Sequence, residues 1–340
     1  MKAVRLHQFG GPNVIQIDEI EESICKIDEV KIEMKSCGIN HLDIWVRKGL
    51  PWIKFPWTLG SDGSGIISEV GKEVTNWNIG DEVVIHPGYS CGGCKHCHNG
   101  NENYCSKYGI IGESCNGLQQ EYICLSPNQI TKKPNHLSFD EAASMPLVFM
   151  TSWQMLIDRA NLLKDDWVLI YGATSGVGAA AIQISKYIGA NVVTTVGDDK
   201  KVQFAKSMGA DFVINHSNFD WINQVKSINK SYDVIFEHIG YATWNKSMSL
   251  LSKGGRVVTC GATTGFKVEI DLRHLFFKQQ SILGSTMSNF KNFHLIMDKI
   301  KNRIFKPFVD SVYLIEDVAL AHDKIEKRKQ IGKVVLSIKK

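Results

Sequence analysis

The chain has 340 residues, and at about 150 residues per domain that length predicts two domains. Its 39 Lys+Arg against 35 Asp+Glu leave a formal net charge of +4, too mild and too mixed for a nucleic-acid or anionic-membrane partner. With 44% hydrophobic and 22% charged residues the chain buries a core, so disorder is excluded.

The first 140 residues read as short strands and turns. Val30-Lys31-Ile32-Glu33-Met34 and Glu82-Val83-Val84-Ile85 alternate as half-buried strands do. Gly10-Gly11-Pro12, Gly49-Leu50-Pro51 and Pro87-Gly88 punctuate them. The reading places no long helix before Ser138, where Ser138-Phe139-Asp140-Glu141 has the pattern of a capping box. From Trp167 the rhythm changes. Val168–Tyr171, Val192–Val196, Phe212–Ile214, Val234–Phe236, Val257–Thr259 and Ile282–Leu283 are predicted strands. Helices over Ala179–Ile188, Lys200–Met208 and Trp244–Leu251, with a polar one before Val234, separate them. Six strands alternating with helices spell an α/β fold with a doubly wound parallel sheet. The last fifty residues alternate less cleanly, and Ile331–Leu336 is a terminal strand able to rejoin the first domain.

The start, Met1-Lys2-Ala3-Val4, has no basic region before an apolar stretch. The longest uncharged run, Trp167 to Ser185, is interrupted by Gly172, Gly176 and Gly178, which suits a buried strand, turn and helix better than a membrane span. A soluble, cytoplasmic protein is expected.

Nine cysteines are unevenly spread, and an odd total argues against a closed disulfide framework. Cys91, Cys94, Cys97 and Cys105 lie within fifteen residues on a Gly-rich loop. Four thiolates spaced to fold one loop around one ion predict a structural zinc, closed to substrate and water. His96 and His98 between them read as exposed loop residues.

The strand ending at Tyr171 runs into Gly172-Ala173-Thr174-Ser175-Gly176-Val177-Gly178 and then a helix. Glycine lets the backbone approach a pyrophosphate, and the unpaired N–H groups and dipole of the helix start hold its charge. The spacing is G-x-x-x-G-x-G rather than G-x-G-x-x-G, but the strand–turn–helix context predicts a dinucleotide site rather than plain packing. The tip of the second strand, Val196, carries no acid for a ribose hydroxyl. Lys200 or Lys201 is placed to meet a 2′-phosphate, while Asp198 remains able to serve a hydroxyl. NADP is therefore the expected cofactor, with NAD as the alternative.

These features together resemble the medium-chain dehydrogenase/reductase superfamily. The resemblance rests on Gly63-Ser64-Gly65 to Val70-Gly71, Gly80-Asp81-Glu82-Val83, the four-cysteine lobe, the Gly172–Gly178 turn and Gly332-Lys333-Val334-Val335-Leu336, in the family's order along nearly the whole chain. It implies a GroES-like β-rich catalytic domain over 1–141 with the zinc lobe at about 88–106, a Rossmann domain over 142–287, a C-terminal segment over 288–340 returning to the first domain, and a cleft between the domains. It also implies a small-molecule substrate and a homo-oligomer, dimer or tetramer. Zinc alcohol dehydrogenases of this superfamily carry a second, catalytic zinc. Here its three ligand positions align with Asn40, Ser61 and a position near Leu147, and Leu42 replaces the hydroxyl of the proton relay. Three lost ligands leave no catalytic metal site.

Asn40-x-x-Asp43 resembles instead the quinone oxidoreductase and enoyl reductase branches, which move a hydride without a catalytic metal. An alkene conjugated to a carbonyl spreads developing charge into an enolate, so hydrogen bonds suffice where a ketone needs a Lewis acid. Asn40 can offer its amide N–H₂ to a substrate carbonyl, and Asp43 reads mainly as a brace of the loop. His41 and Lys333 match positions that approach the cofactor pyrophosphate in relatives; a surface His and a solvated Lys are the plainer readings. Thr151 matches a nicotinamide contact. His86 and Tyr89 are candidate proton sources, and Trp52, Phe55 and Trp57 candidate walls of an apolar pocket. The expected activity is NADPH-dependent reduction of an enone, an enoyl thioester or a quinone. The alternatives are an alcohol dehydrogenase and a non-catalytic dinucleotide-binding protein.

Overall fold

The strand that opens at Val30 runs past its alternating stretch to Ile39. Over Val30–Lys35 it buries every second residue, but from Ser36 to Ile39 every residue is buried. The helix Phe139–Ala143 lies over this end, with Ser36 bonded to Asp140 and Gly38 against Ala143 O, so the period of two disappears where the sheet is covered on both faces. Antiparallel Asp62–Val70 pairs on one side, with Cys37 opposite Gly63 and Gly38 opposite Asp62. Antiparallel Lys333–Ser337 pairs on the other, with Val334 opposite Ile39. That register sets the residue after Ile39, Asn40, beside the residue before Val334, Lys333.

In the computed structural model residues 1–338 are described. Lys339 and Lys340, the end of the expected C-terminal segment, lie outside the described residues. The chain divides into Met1–Leu147 with Asn289–Lys340, and Val148–Ser288. The first unit holds a seven-stranded sheet in the order Ile130–Lys132, Glu82–Ile85, Asp62–Val70, Val30–Ile39, Lys333–Ser337, Val309–Leu314, with Tyr122–Leu125 added to Val30–Ile39. The core between its layers is built from Val30, Ile32, Met34, Leu59, Val83, Ile85, Leu118 and Leu336. The C-terminal strand thus rejoins the first unit.

Three helices of this unit escape the periodicity reading. His41–Lys48 starts where the Asp43 carboxylate accepts the Asn40 backbone N–H at 2.7 Å. Its buried face includes Asp43 and Arg47 beside Ile44 and Val46, which hides the apolar stripe. Phe290–Lys301 and Val318–Glu326 lie in the stretch that alternates poorly as strand. The capping box at Ser138 is present, with Ser138 Oγ accepting from Glu141 N and the Glu141 carboxylate from Ser138 N.

The second unit is a six-stranded, all-parallel sheet in the order Phe212–Asn215, Asn191–Val196, Trp167–Ile170, Tyr232–Glu237, Leu251–Thr259, Ser281–Gly284. Numbered along the unit this is 3-2-1-4-5-6, the doubly wound dinucleotide-binding order. The helix expected from Ala179 begins at Gly176, and the one expected over Lys200–Met208 is a 3-10 turn, Asp199–Lys201, followed by Val202–Ser207. Among the described residues no helix is long and apolar enough to cross a membrane.

Candidate active site and cofactor cradle

Asp62 is the centre of a buried polar cluster in the first unit. Its Oδ2 accepts from Asn40 Nδ2 at 2.9 Å and from the Lys333 ammonium at 3.0 Å. Its Oδ1 accepts the Leu147 backbone N–H at 2.8 Å. Lys333 also donates to Asn40 Oδ1 at 2.5 Å. Asn40 and Lys333 are 6% and 4% exposed, and Asp62 is fully enclosed. Lys333 is therefore not a solvated lysine. Its cation, expected at the cofactor, has two partners within its own unit.

Asp43 braces the cluster from behind, with Oδ2 on Asn40 N and Oδ1 accepting Gly60 N–H at 3.0 Å. Burial raises its pKa to about 6 against the opposing pull of those N–H groups and Lys333. The three aligned metal positions do come together. Asn40 and Leu147 both bond Asp62, and Ser61 precedes it, its buried Oγ without a partner among the described residues. None of the three offers a thiolate, imidazole or carboxylate. Asp62 itself was missed by the sequence reading; its signal was an acid between buried glycines in Gly60-Ser61-Asp62-Gly63.

His86 is buried, stacked on Phe290 with ring centroids 4.1 Å apart and edge-on to Phe293. Burial lowers its pKa to about 4, so at neutral pH it is an uncharged packing residue rather than a ready acid. His41 is exposed at the helix start, its ring edge-on to Trp45. Trp57 and Trp52 donate their indole N–H groups to Gly112 O and Glu113 O; Trp52 and Phe55 are largely exposed.

In the lobe, the thiols of Cys91, Cys94, Cys97 and Cys105 all lie within 4.8 Å of one another, with 3.5 Å between Cys94 and Cys97 and between Cys105 and Cys91, and 3.8 Å between Cys91 and Cys97. A tetrahedral zinc with Zn–S of about 2.3 Å sets sulfurs about 3.8 Å apart. The donor set fits one closed structural zinc. Among the described residues this is the one group of three or more His, Cys, Asp or Glu side chains close enough to hold a metal.

The second unit carries the cradle. Gly172 has φ +65°, which only glycine adopts without strain, and a Cβ on Gly178 would sit 2.2 Å from Gly172 O. Ser175 Oγ accepts Gly178 N–H at 2.9 Å as the N-cap of Gly176–Ile188. The first N–H groups of the helix, at Gly176 and Val177, point outward by helical geometry. Ala173 N–H bonds Thr195 O, tying the turn to the second strand. Thr151, in the same unit, is buried with its hydroxyl 3.7 Å from Met287 Sδ.

Two features of this cradle escaped the sequence reading. Buried Glu237, at the tip of the fourth strand, accepts Ile239 N, Gly240 N and the Thr243 and Ser247 hydroxyls, shaping the loop beyond. His238 donates Nε2–H to Tyr171 O at 2.8 Å and lies against Gly172. Just past the second strand tip, a side chain on Gly197 would meet His216 Nε2 at 3.3 Å, so an imidazole lies beside the end of that strand. Asp198 is turned away to cap Lys200 N at 2.9 Å, and Asp199 accepts from Asn215 Nδ2. Lys201 is half-buried in the turn that follows.

Comparison with known proteins gives this geometry its family. The model for the alcohol dehydrogenase GroES-like domain matches residues 26–135, and that for zinc-binding dehydrogenases matches 176–302. A crotonyl-CoA carboxylase/reductase from Cereibacter sphaeroides is 30% identical, with 95% of this chain and 83% of that protein covered. The chain belongs to the medium-chain dehydrogenase/reductase superfamily. A quinone oxidoreductase of Homo sapiens is also 30% identical, over 96% of this chain and 94% of its own. The solved structure of an NAD-dependent alcohol dehydrogenase superposes with a TM-score of 0.96 at 39% identity, covering 100% of both chains. The chain is thus an oxidoreductase of this superfamily, with its GroES-like and Rossmann-like parts.

Proposed function

We propose that this oxidoreductase uses NADPH to reduce a carbon–carbon double bond conjugated to a carbonyl, in an enone or enoyl thioester, or a quinone. One observation carries the reading: at the three metal-ligand positions stand an amide and a backbone N–H that both bond Asp62 and, next to it in sequence, an unpartnered hydroxyl, with no metal donor among the three. Bound NADPH supplies the hydride. Asn40 supplies a neutral donor where negative charge builds on the acceptor oxygen, and Asp43 holds the Asn40 backbone in place. His86 keeps the wall rather than giving a proton, because its imidazole is neutral at working pH.

The NADPH preference rests on the second strand tip, where no acid faces the ribose and His216 covers Gly197. Asp198 is drawn off to the Lys200 backbone. Gly172, Ala173, Ser175, Gly176, Val177 and Gly178 make the pyrophosphate cradle, with Lys201 toward the 2′-phosphate and Thr151 toward the nicotinamide. The four-cysteine lobe holds its zinc for stability alone.

A homodimer fits the second unit. Its sheet ends in the edge strand Ser281–Gly284, and the preceding helix Leu272–Phe277 exposes Leu272, Phe276 and Phe277. An open edge beside large apolar side chains is an association surface.

Alcohol oxidation is the second reading, favoured by the 39% identity to a protein named as an NAD-dependent alcohol dehydrogenase. Nicotinamide absorbance decides between them: purified enzyme with NADPH is given quinones, enones and enoyl thioesters, and with NADP⁺ or NAD⁺ a panel of alcohols. Reduction of a conjugated acceptor with NADPH supports the first reading, and alcohol oxidation alone supports the second.

A further inference from the structure

Asn40, Lys333 and Asp62 form a closed cycle of hydrogen bonds. Lys333 Nζ donates to Asn40 Oδ1 at 2.5 Å and to Asp62 Oδ2 at 3.0 Å, and Asn40 Nδ2 donates to the same Asp62 oxygen at 2.9 Å. An ammonium only donates and a carboxylate only accepts, so the amide of Asn40 has one permitted orientation. Flipping it would set C=O against carboxylate and N–H₂ against ammonium. A cation on the amide oxygen also draws electrons from nitrogen and makes its N–H groups stronger donors. Asp62 takes one of the two Nδ2 hydrogens, which leaves the other.

We propose that Lys333 is a positioning residue for the reduction, acting through Asn40. Its ammonium locks and polarises the carboxamide so that the second Nδ2–H is held as a strong neutral donor for the developing oxyanion. Positive charge thus reaches the acceptor oxygen through an amide instead of a metal. The cycle is assembled by the strand register, Val334 opposite Ile39 and Gly38 opposite Asp62, which brings residue 333 to residue 40 across 293 positions of chain. The inference rests on the reductase reading and deepens it.

The test compares wild type with Asn40→Ala, Lys333→Met, the double Asn40→Ala/Lys333→Met and Lys333→Arg. Lys333→Met/Asp62→Asn is added because it leaves no unpaired buried carboxylate and so guards against misfolding. Turnover is read with NADPH and a saturating conjugated enone or quinone, NADPH affinity by fluorescence titration, and the Asn40 side-chain amide by NMR of protein labelled with ¹⁵N-asparagine. The expected result is a fall in kcat of about tenfold to a hundredfold for Lys333→Met, with KM for the acceptor and Kd for NADPH within about twofold. The double variant with Asn40→Ala is no slower than Asn40→Ala alone, because both act on one interaction. Lys333→Arg recovers most of the rate, Lys333→Met/Asp62→Asn stays folded and slow, and the Asn40 amide resonance moves when the lysine is lost. Two results overturn the proposal: multiplicative losses in the double variant, or a Lys333→Met enzyme with normal kcat and weakened NADPH binding, which would place the lysine at the cofactor. Failure of the wild type on every acceptor brings down the reductase reading instead, and an unmoved Asn40 amide in Lys333→Met then overturns the positioning as well.

Discussion

The ammonium of Lys333 lies 3.0 Å from the Asp62 carboxylate, with both side chains almost wholly shielded from water. A buried ion pair is not a strong source of stability, because desolvation offsets most of its attraction. Removing one partner is costly. Asp62→Ala should destabilise the fold by about 3–5 kcal/mol, since it strands a buried cation and frees Leu147 N–H and Asn40 Nδ2 together. Denaturant titration reads it, and a loss under about 1 kcal/mol would show that water reaches the site.

Asn40→Ala should lower turnover by about 10²–10³, the usual cost of one well-placed donor at a developing oxyanion. Zinc content and NADPH affinity should hold. If Asn40 only shapes the turn, unfolding will show the damage and turnover of the folded fraction will not.

Cofactor choice should favour NADPH by about tenfold in kcat/KM, or about 1.4 kcal/mol. His216 covers Gly197 at the strand tip, so His216→Ala should narrow the preference and leave kcat with saturating NADH unchanged. Equal or better efficiency with NADH in the wild type contradicts this assignment.

Acid should destabilise the protein in a way traceable to single histidines. Burial pushes His86 from 6.5 to about 4 and His322 to about 3, with Arg47 adding to the second shift. The unfolded chain protonates both near 6.5 while the folded chain does not. Their contribution is therefore complete above that pH and is lost as pH falls toward the folded values. Asp43 works in the opposite sense. Its folded pKa of about 6 lies above the ordinary 3.8, so the fold keeps a proton that the unfolded chain sheds, and stability falls as pH rises through that window. His86→Phe should gain on wild type by about 2 kcal/mol between pH 7 and 5. Comparing the two at each pH cancels the protonation of the zinc thiolates, which weakens both alike. A difference in Tm that does not change with pH would contradict the burial argument.

Much of this was legible in the chain. The parallel sheet was readable because its strands are continuous apolar runs between helices, and the zinc lobe because its four thiols sit on one loop. The helix His41–Lys48 was not, since Asp43 and Arg47 occupy its buried face. Asn40 was singled out through its place near Asp43. Its partners Asp62 and Lys333 were not joined to it, because strand register is a property of the assembled sheet and no local pattern encodes it. The roles of His238 and His216 were hidden for the same reason, since each meets the end of a neighbouring strand, while Glu237 acts on the loop after its own strand, whose fold no local pattern spells out.

One zinc per chain should be found, and a chelator that removes it should lower Tm, because metal binding is part of the folding free energy of the lobe. Two tightly bound zincs per chain would contradict the loss of the second ligand set.

An acceptor panel distinguishes reduction of a conjugated acceptor from alcohol oxidation most directly. Purified enzyme is given NADPH with quinones, enones and short enoyl thioesters, and separately NADP⁺ or NAD⁺ with primary and secondary alcohols, following nicotinamide absorbance. Acceptor-dependent oxidation of NADPH and no appreciable alcohol oxidation are expected. Vigorous alcohol oxidation with no reduction of any conjugated acceptor would contradict the reductase reading.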